Sequence, residues 1–251
     1  MTKGIVLSLY DFTGEAVRTW ALAGYECHIY DIQHPYGPHK QRVGSRGGSI
    51  TTHRKDLHRT ETFEGLLREY EGKPVVFGMA FPVCTDMAVS GAAWFKKKAA
   101  ANPGFQEEAV RHAVDCSDFF EELGGIPYFV ENPVSVLSTK WRKPDYSFHP
   151  YEYGGYIEDD AAEHPRWPEY IAPRDAYKKK TCLWTGGGFV MPTKVAVDCE
   201  NYHGNGYSTA MMKLGGKSQR TKDIRSATPR GFAAAVYQSN QGKNSCGNAT
   251  V

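Results

Sequence analysis

The stretch GIVLSLYDFTGEAVRTWALAGYECHIYDI, residues 4–32, joins two apolar runs of strand length, GIVLSLY (4–10) and ECHIYDI (26–32). Between them Ala16, Trp20 and Ala23 recur at helical spacing. Strand, helix and strand within one short segment make a crossover unit. Gly14 stands where the first strand turns into the helix, and Asp31 closes the second strand. A glycine there lets backbone approach a ligand, and an acid one strand later accepts hydrogen bonds from ribose hydroxyls. The segment has neither the three-glycine dinucleotide fingerprint nor the Gly-Lys-Ser/Thr of a phosphate loop, which disfavours NAD and ATP. A tight turn between packed elements would leave the same pattern.

Working outward, the loop PYGPHKQRVGSRGG (35–48) leads to a third strand ending at Lys55-Asp56-Leu57, then a polar helix over 60–72 closed by Gly72. PVVFGMAF (74–81) is the most apolar strand so far. In 105–125 Phe105, Ala109, Val110, Ala113, Cys116, Phe120 and Leu123 share one helical face, with two glycines at the end. His112 and Cys116 lie one turn apart on that face and read as core. IPYFVENP (126–133) follows as the next strand. Apolar strands alternating with amphipathic helices predict an α/β fold with a mainly parallel sheet, whose ligands bind beyond the carboxyl ends of the strands.

The remainder is less regular. Residues 141–180 are rich in Pro, Tyr and charge and read as an ordered surface excursion; KKKTCLWTGGG (178–188) reads as a late strand, 204–227 as a basic loop, and TPRGFAAAVYQSN (228–240) as a final helix. We expect one compact domain: a core at 1–140, the excursion and basic loop at 141–225, the helix at 226–240 completing the core, and a frayed tail at 241–251. A chain of 251 residues with 41% hydrophobic content can bury such a core. Thirty basic against 28 acidic residues give a formal charge of +2, so a nucleic-acid site would have to be a local patch. The six cysteines show no CxxC pair and no zinc-ligand spacing, which predicts neither disulfides nor metal. With no secretory pattern at the N-terminus and no run of 18 apolar residues, we expect a cytoplasmic protein without membrane partners.

Two strand ends carry further chemistry: Cys84, after Phe81-Pro82-Val83, and Glu131-Asn132-Pro133. Both face the same carboxyl-end crevice, each stiffened by a proline. A buried cysteine can equally be a small hydrophobe, and the triplet a turn.

Taken together, the order and spacing of these segments resemble the DNA cytosine-C5 methyltransferases, the phage and prophage members most of all. LSLYDFTGEA to HIYDI is similar to that family's S-adenosylmethionine turn and ribose-binding acid, Asp56-Leu57 to its adenine-contacting pair, FPVCT to its nucleophile loop and FVENP to its ENV segment. The likeness covers residues 4–140 and resumes in KKTCLW and RSATPRGFAAAV. It implies a Rossmann-like class I fold, with a mostly parallel sheet and helices on both faces. It also implies an enzyme that methylates C5 of cytosine in duplex or single-stranded DNA through a covalent adduct. By resemblance Cys84 is the nucleophile, Glu131 activates the ring and Asn132 orients that loop. Tyr10, Phe12, Thr13, Gly14, Asp31, Ile32, Asp56, Leu57, Phe81 and Pro82 line the S-adenosylmethionine site.

The chain departs from the family in three places. Val83 separates proline from cysteine; Lys178, Lys179 and Lys180 stand where the family uses an arginine, with Lys179 taking its role; and only about 45 residues replace a large target-recognition region. Lys213, Lys217, Arg220, Lys222 and Arg225 are the expected phosphate-binding residues, although a solvated loop would look alike. Tyrosines of the excursion, interleaved with Arg and Lys, are candidates for stacking. Alternatives are C5 alkylation of cytosine in a nucleotide or RNA, a modified S-adenosylmethionine donor, and a non-catalytic nucleic-acid-binding relative.

Overall fold

Leu7 and Leu9 project to one face of the first strand and Val6 to the other, and all three are buried, so this strand must lie inside a sheet covered on both sides. A computed structural model, which describes residues 3–199, 214–215 and 218–242, has that architecture. Among the described residues eight strands form one sheet: β1 (Ile5–Leu9), β2 (Glu26–Asp31), β3 (His39–Val43), β4 (Gly48–Arg54), β5 (Val75–Ala80), β6 (Tyr128–Pro133), β7 (Tyr146–Phe148) and β8 (Thr181–Gly186), in the order β3-β4-β2-β1-β5-β6-β8-β7. Strands β4, β2, β1, β5 and β6 run parallel, while β3 and β8 are antiparallel to their neighbours.

One face is covered by α2 (Thr60–Tyr70) and α4 (Phe105–Glu122), whose Phe63, Leu66, Phe119 and Phe120 pack with Ile5, Leu7 and Leu9. The other is covered by α1 (Arg18–Leu22) and the C-terminal α7 (Arg230–Asn240), whose Trp20, Phe232 and Val236 pack with Val6, Phe77 and Phe129. Trp20 anchors this second layer, its ring stacked 4.9 Å from Phe77 with Tyr25 and Tyr237 edge-on. Three shorter helices, α3 (Phe95–Ala101), α5 (Leu137–Lys140) and α6 (Gln219–Ser226), lie in the connections.

Two expectations need correction. The stretch 35–48, read as a loop, contains β3, an edge strand whose His39, Lys40, Gln41 and Arg42 are exposed; it forms a hairpin with β4 without needing apolar alternation. The basic loop contains α6, capped by Ser218, whose Oγ accepts the Thr221 N–H at 3.2 Å, and seated by Ile224 against Ile171, Tyr177 and Ala227. No helix among the described residues is long and apolar enough to span a membrane.

Chain direction places the site. From β1 the chain moves outward through β2 to β4, then returns to β5 on the other side of β1. The switch point therefore falls between β1 and β5, where a crevice opens beyond the strands' carboxyl ends. Strand β8 runs antiparallel to β6 with Thr181 opposite Pro133, so the residues just before β8 arrive at that same end.

Candidate active site

The turn after β1 is organised by Asp11, which the sequence reading passed over. Its carboxylate accepts the Gly14 N–H at 2.7 Å and the Ser8 hydroxyl at 2.8 Å, and the His34 ring nitrogen lies 2.9 Å from its carbonyl oxygen. Burial pushes the Asp11 carboxyl above its ordinary value, while the Gly14 and Ser8 hydrogen bonds pull the other way. Gly14 has φ +70°, a left-handed conformation that glycine adopts without strain. The signal for Asp11 was present: an Asp at the end of an apolar strand, just before a Gly, is placed to accept a nearby backbone N–H.

At the end of β2, Asp31 is buried and its Oδ1 accepts the Gln33 N–H at 2.8 Å. Ile32 beside it is 50% exposed, and the 38% exposed Phe12 stands over the same loop, its ring 5.6 Å from that of His34. A carboxylate beside two exposed apolar side chains, one strand from the switch point, suits a nucleoside: hydroxyls to the acid, a base to the apolar lips. Thr13 lies in the turn, with its Oγ1 3.5 Å from Asp11 Oδ1. Leu57 is buried in the core, and Tyr10 donates its hydroxyl to the Leu57 carbonyl at 2.8 Å, tying β1 to the segment after β4. Asp56 is half-buried, taking the His58 N–H on its side chain and the Thr62 hydroxyl on its carbonyl.

Beyond β5, Phe81 extends the sheet by donating its N–H to the Leu9 carbonyl at 3.0 Å, and Pro82 is buried. Cys84 follows, half-buried, its carbonyl accepting the N–H groups of Met87 and Ala88. The segments after β5 and β6 are joined: Asn132 Nδ2 donates to the Pro82 carbonyl at 2.9 Å, Val89 N–H to Val134, and Val136 N–H to Met87. Asn132 is 1% exposed, and its Oδ1 has no partner.

Glu131, Phe81, Phe148, Lys179, Thr181, Phe232 and the turn 226–229 line a narrow, open cleft. Lys179 Nζ is held on the Arg225 carbonyl at 2.8 Å, at the last turn of α6. Burial raises the Glu131 carboxyl, opposed by Lys179. Burial, then the Glu131 charge, raises the Cys84 thiol, again opposed by Lys179. Cys84, Glu131 and Lys179 are thus one electrostatic unit, with a thiol and an acid biased towards their neutral forms beside a cation.

The excursion docks onto this edge. Arg166 Nη1 reaches the Thr13 carbonyl at 3.2 Å and Glu15 Oε1 at 3.4 Å, contacts that no local pattern announces. Of its tyrosines, Tyr153 and Tyr177 are buried as packing, and Tyr146 is 40% exposed. In the expected phosphate patch, the Arg220 guanidinium lies 5.5 Å from the Tyr170 ring centroid, Arg225 donates to the Leu214 carbonyl, and Lys222 is exposed; Lys213 and Lys217 lie outside the described residues. Among the described residues no cluster of His, Cys, Asp or Glu is arranged to hold a metal ion.

No protein-family model matches the chain, and no curated protein is similar to it. One similar solved structure is that of a protein described as a DNA modification methyltransferase encoded within a prophage, from E. coli. It is 12% identical, with a TM-score of 0.38, and the match covers 73% of this chain and 46% of that one. The chain therefore spans less than half the length of that structure's chain.

Proposed function

We propose that this chain is an S-adenosylmethionine-dependent methyltransferase that modifies C5 of cytosine in DNA, with Cys84 as nucleophile. The reading is carried by one observation: a thiol and an acid at the carboxyl ends of adjacent parallel strands, linked through Asn132 and Pro82 and both acted on by Lys179. A binding module has no use for that combination. The turn of Asp11 and Gly14, with Asp31, Phe12 and Ile32, has the acceptor and apolar surface to hold the adenosine of S-adenosylmethionine, which when bound supplies an electrophilic methyl group.

The residues divide the chemistry as follows. C5 of an aromatic cytosine is a weak nucleophile. Cys84 thiolate adds to C6; the C5–C6 π pair shifts to C4–C5, and the C4–N3 pair takes a proton from Glu131 at N3. The ring is then an enamine, nucleophilic at C5. After C5 is alkylated, N3 returns its proton to Glu131, a base removes the C5 proton, and the pair left behind reforms C5–C6 as Cys84 departs. The balance is exchange of one hydrogen for one methyl, with release of one proton.

Burial biases Glu131 towards the protonated form this step requires. A protonated Glu131 no longer opposes ionisation of Cys84, and Lys179 then favours the thiolate. Acid and nucleophile are therefore coupled. Incubation with isotopically labelled S-adenosylmethionine and, in parallel, duplex DNA, single-stranded DNA, RNA and dCMP, followed by nucleoside mass spectrometry, tests the proposal. Labelled 5-methylcytosine from DNA is expected. Absence of product from all four, or methylation of an exocyclic amine, refutes it.

A further inference from the structure

Five residues after Cys84 the chain enters a 3-10 turn, Val89–Trp94, that runs directly into α3, and neither element contains a buried residue. A helix of seven residues is marginal alone and normally persists by burying one face. This one is held by tethers. Lys98 Nζ donates to Asp86 Oδ1 at 2.5 Å and to the Thr85 carbonyl at 3.0 Å, and the Phe95 ring lies 5.8 Å from that of Phe105. The arm is fastened to the Cys84 loop while its surface stays in solvent.

That surface has a definite chemistry. Trp94 is 58% exposed, and Lys97 Nζ lies 6.0 Å from its ring centroid. Lys96 and Lys97 are exposed, Asp86 is paired with Lys98, and residues 87–106 contain three lysines and no acid. Val83, Val89 and Val134 are exposed around the same opening. An accessible indole beside two cations matches a polyanion that also offers flat aromatic faces.

We propose that the arm is a docking surface for single-stranded DNA, with an unpaired base on Trp94 and flanking phosphates on Lys96 and Lys97; this rests on, and deepens, the reading of DNA cytosine as substrate. Single strands are favoured because duplex pairing keeps base faces stacked on each other and away from an indole.

Fluorescence anisotropy of a labelled 12-nucleotide single strand, without S-adenosylmethionine, tests the surface independently of turnover. W94A is expected to weaken binding roughly 5- to 160-fold, with W94F keeping most of the affinity. The K96E/K97E double variant should flatten the dependence of log affinity on log salt by about 1.4, or about 0.7 per lost phosphate contact. Wild-type affinity in W94A with an unchanged salt slope in the double variant overturns the proposal, as does tighter binding of the corresponding duplex or RNA. Binding that weakens as expected in a protein that methylates nothing would sink the catalytic reading and leave the arm standing. Unaltered binding in these variants of an active methyltransferase would do the reverse.

Discussion

Asn132→Ala removes a side chain that bonds the end of β6 to the segment carrying Cys84. The Nδ2 hydrogen bond to the Pro82 carbonyl, 2.9 Å long and fully enclosed, is lost, leaving a buried acceptor unmet at a cost of about 1–3 kcal/mol. The same change deletes Asn132 Oδ1, which is buried without a partner, so part of that cost is returned. The net expectation is about 1–2 kcal/mol. For a chain of this size that lowers Tm by roughly 2–8 °C. The loosened segment should also expose Cys84, so iodoacetamide should label it several-fold faster at fixed pH, followed by peptide mass spectrometry. A variant that melts with wild type and labels Cys84 at the wild-type rate would show that this bond does not hold the two segments together.

Other perturbations read other parts of the account. Lys179→Met removes the cation that opposes the upward shifts of Cys84 and Glu131, so the pH midpoint for Cys84 alkylation should move upward; an unchanged midpoint would detach Lys179 from the site. Asp175 is buried, and burial pushes its carboxyl up to about 6 although Gly231 donates its N–H to it. With the folded value above the unfolded one, the native state binds the extra proton, and stability falls between about pH 4 and pH 6 by roughly 3 kcal/mol. Asp175→Asn keeps an acceptor for Gly231 and should remove that slope. Melting curves of both proteins from pH 4 to 8 that stay parallel would contradict this. A Cβ at Gly78 in β5 would stand 2.5 Å from two ring carbons of the fully buried Phe120, so Gly78→Ala should cost about 1–3 kcal/mol in urea unfolding; a neutral result would mean that the core yields there.

The strands that build the site were legible because each is a continuous apolar run ended by Gly, Pro or a charged residue; β1, β2, β5 and β6 lie within a residue or two of the runs that announced them. The crevice was legible for the same reason, since Cys84, Glu131 and Asp31 all follow such runs. Strand β3 was not, because HKQRV is an edge strand held by backbone pairing to β4 and needs no apolar face. Helix α6 was hidden by its composition, Thr221 and Ile224 being its buried residues, and Ser218 was the one available cue. Contacts such as Arg166 with Thr13 join residues 153 positions apart and leave no trace in local spacing. Tyr10 and Leu57 were named by resemblance alone, and the bond between the Tyr10 hydroxyl and the Leu57 carbonyl, like the burial of Leu57, depends on the packing of β1 against the segment after β4.

The central claim is that Cys84 forms a bond to C6 of cytosine. With fluorine in place of hydrogen at C5, the last proton cannot be removed and the thiol cannot leave, so DNA containing 5-fluorocytosine should trap the adduct when S-adenosylmethionine is present. The account predicts a denaturation-resistant protein–DNA band with wild type, mapping by mass spectrometry to Cys84, and no band with Cys84→Ala. No adduct from the wild-type protein, or an equal yield from Cys84→Ala, would contradict it.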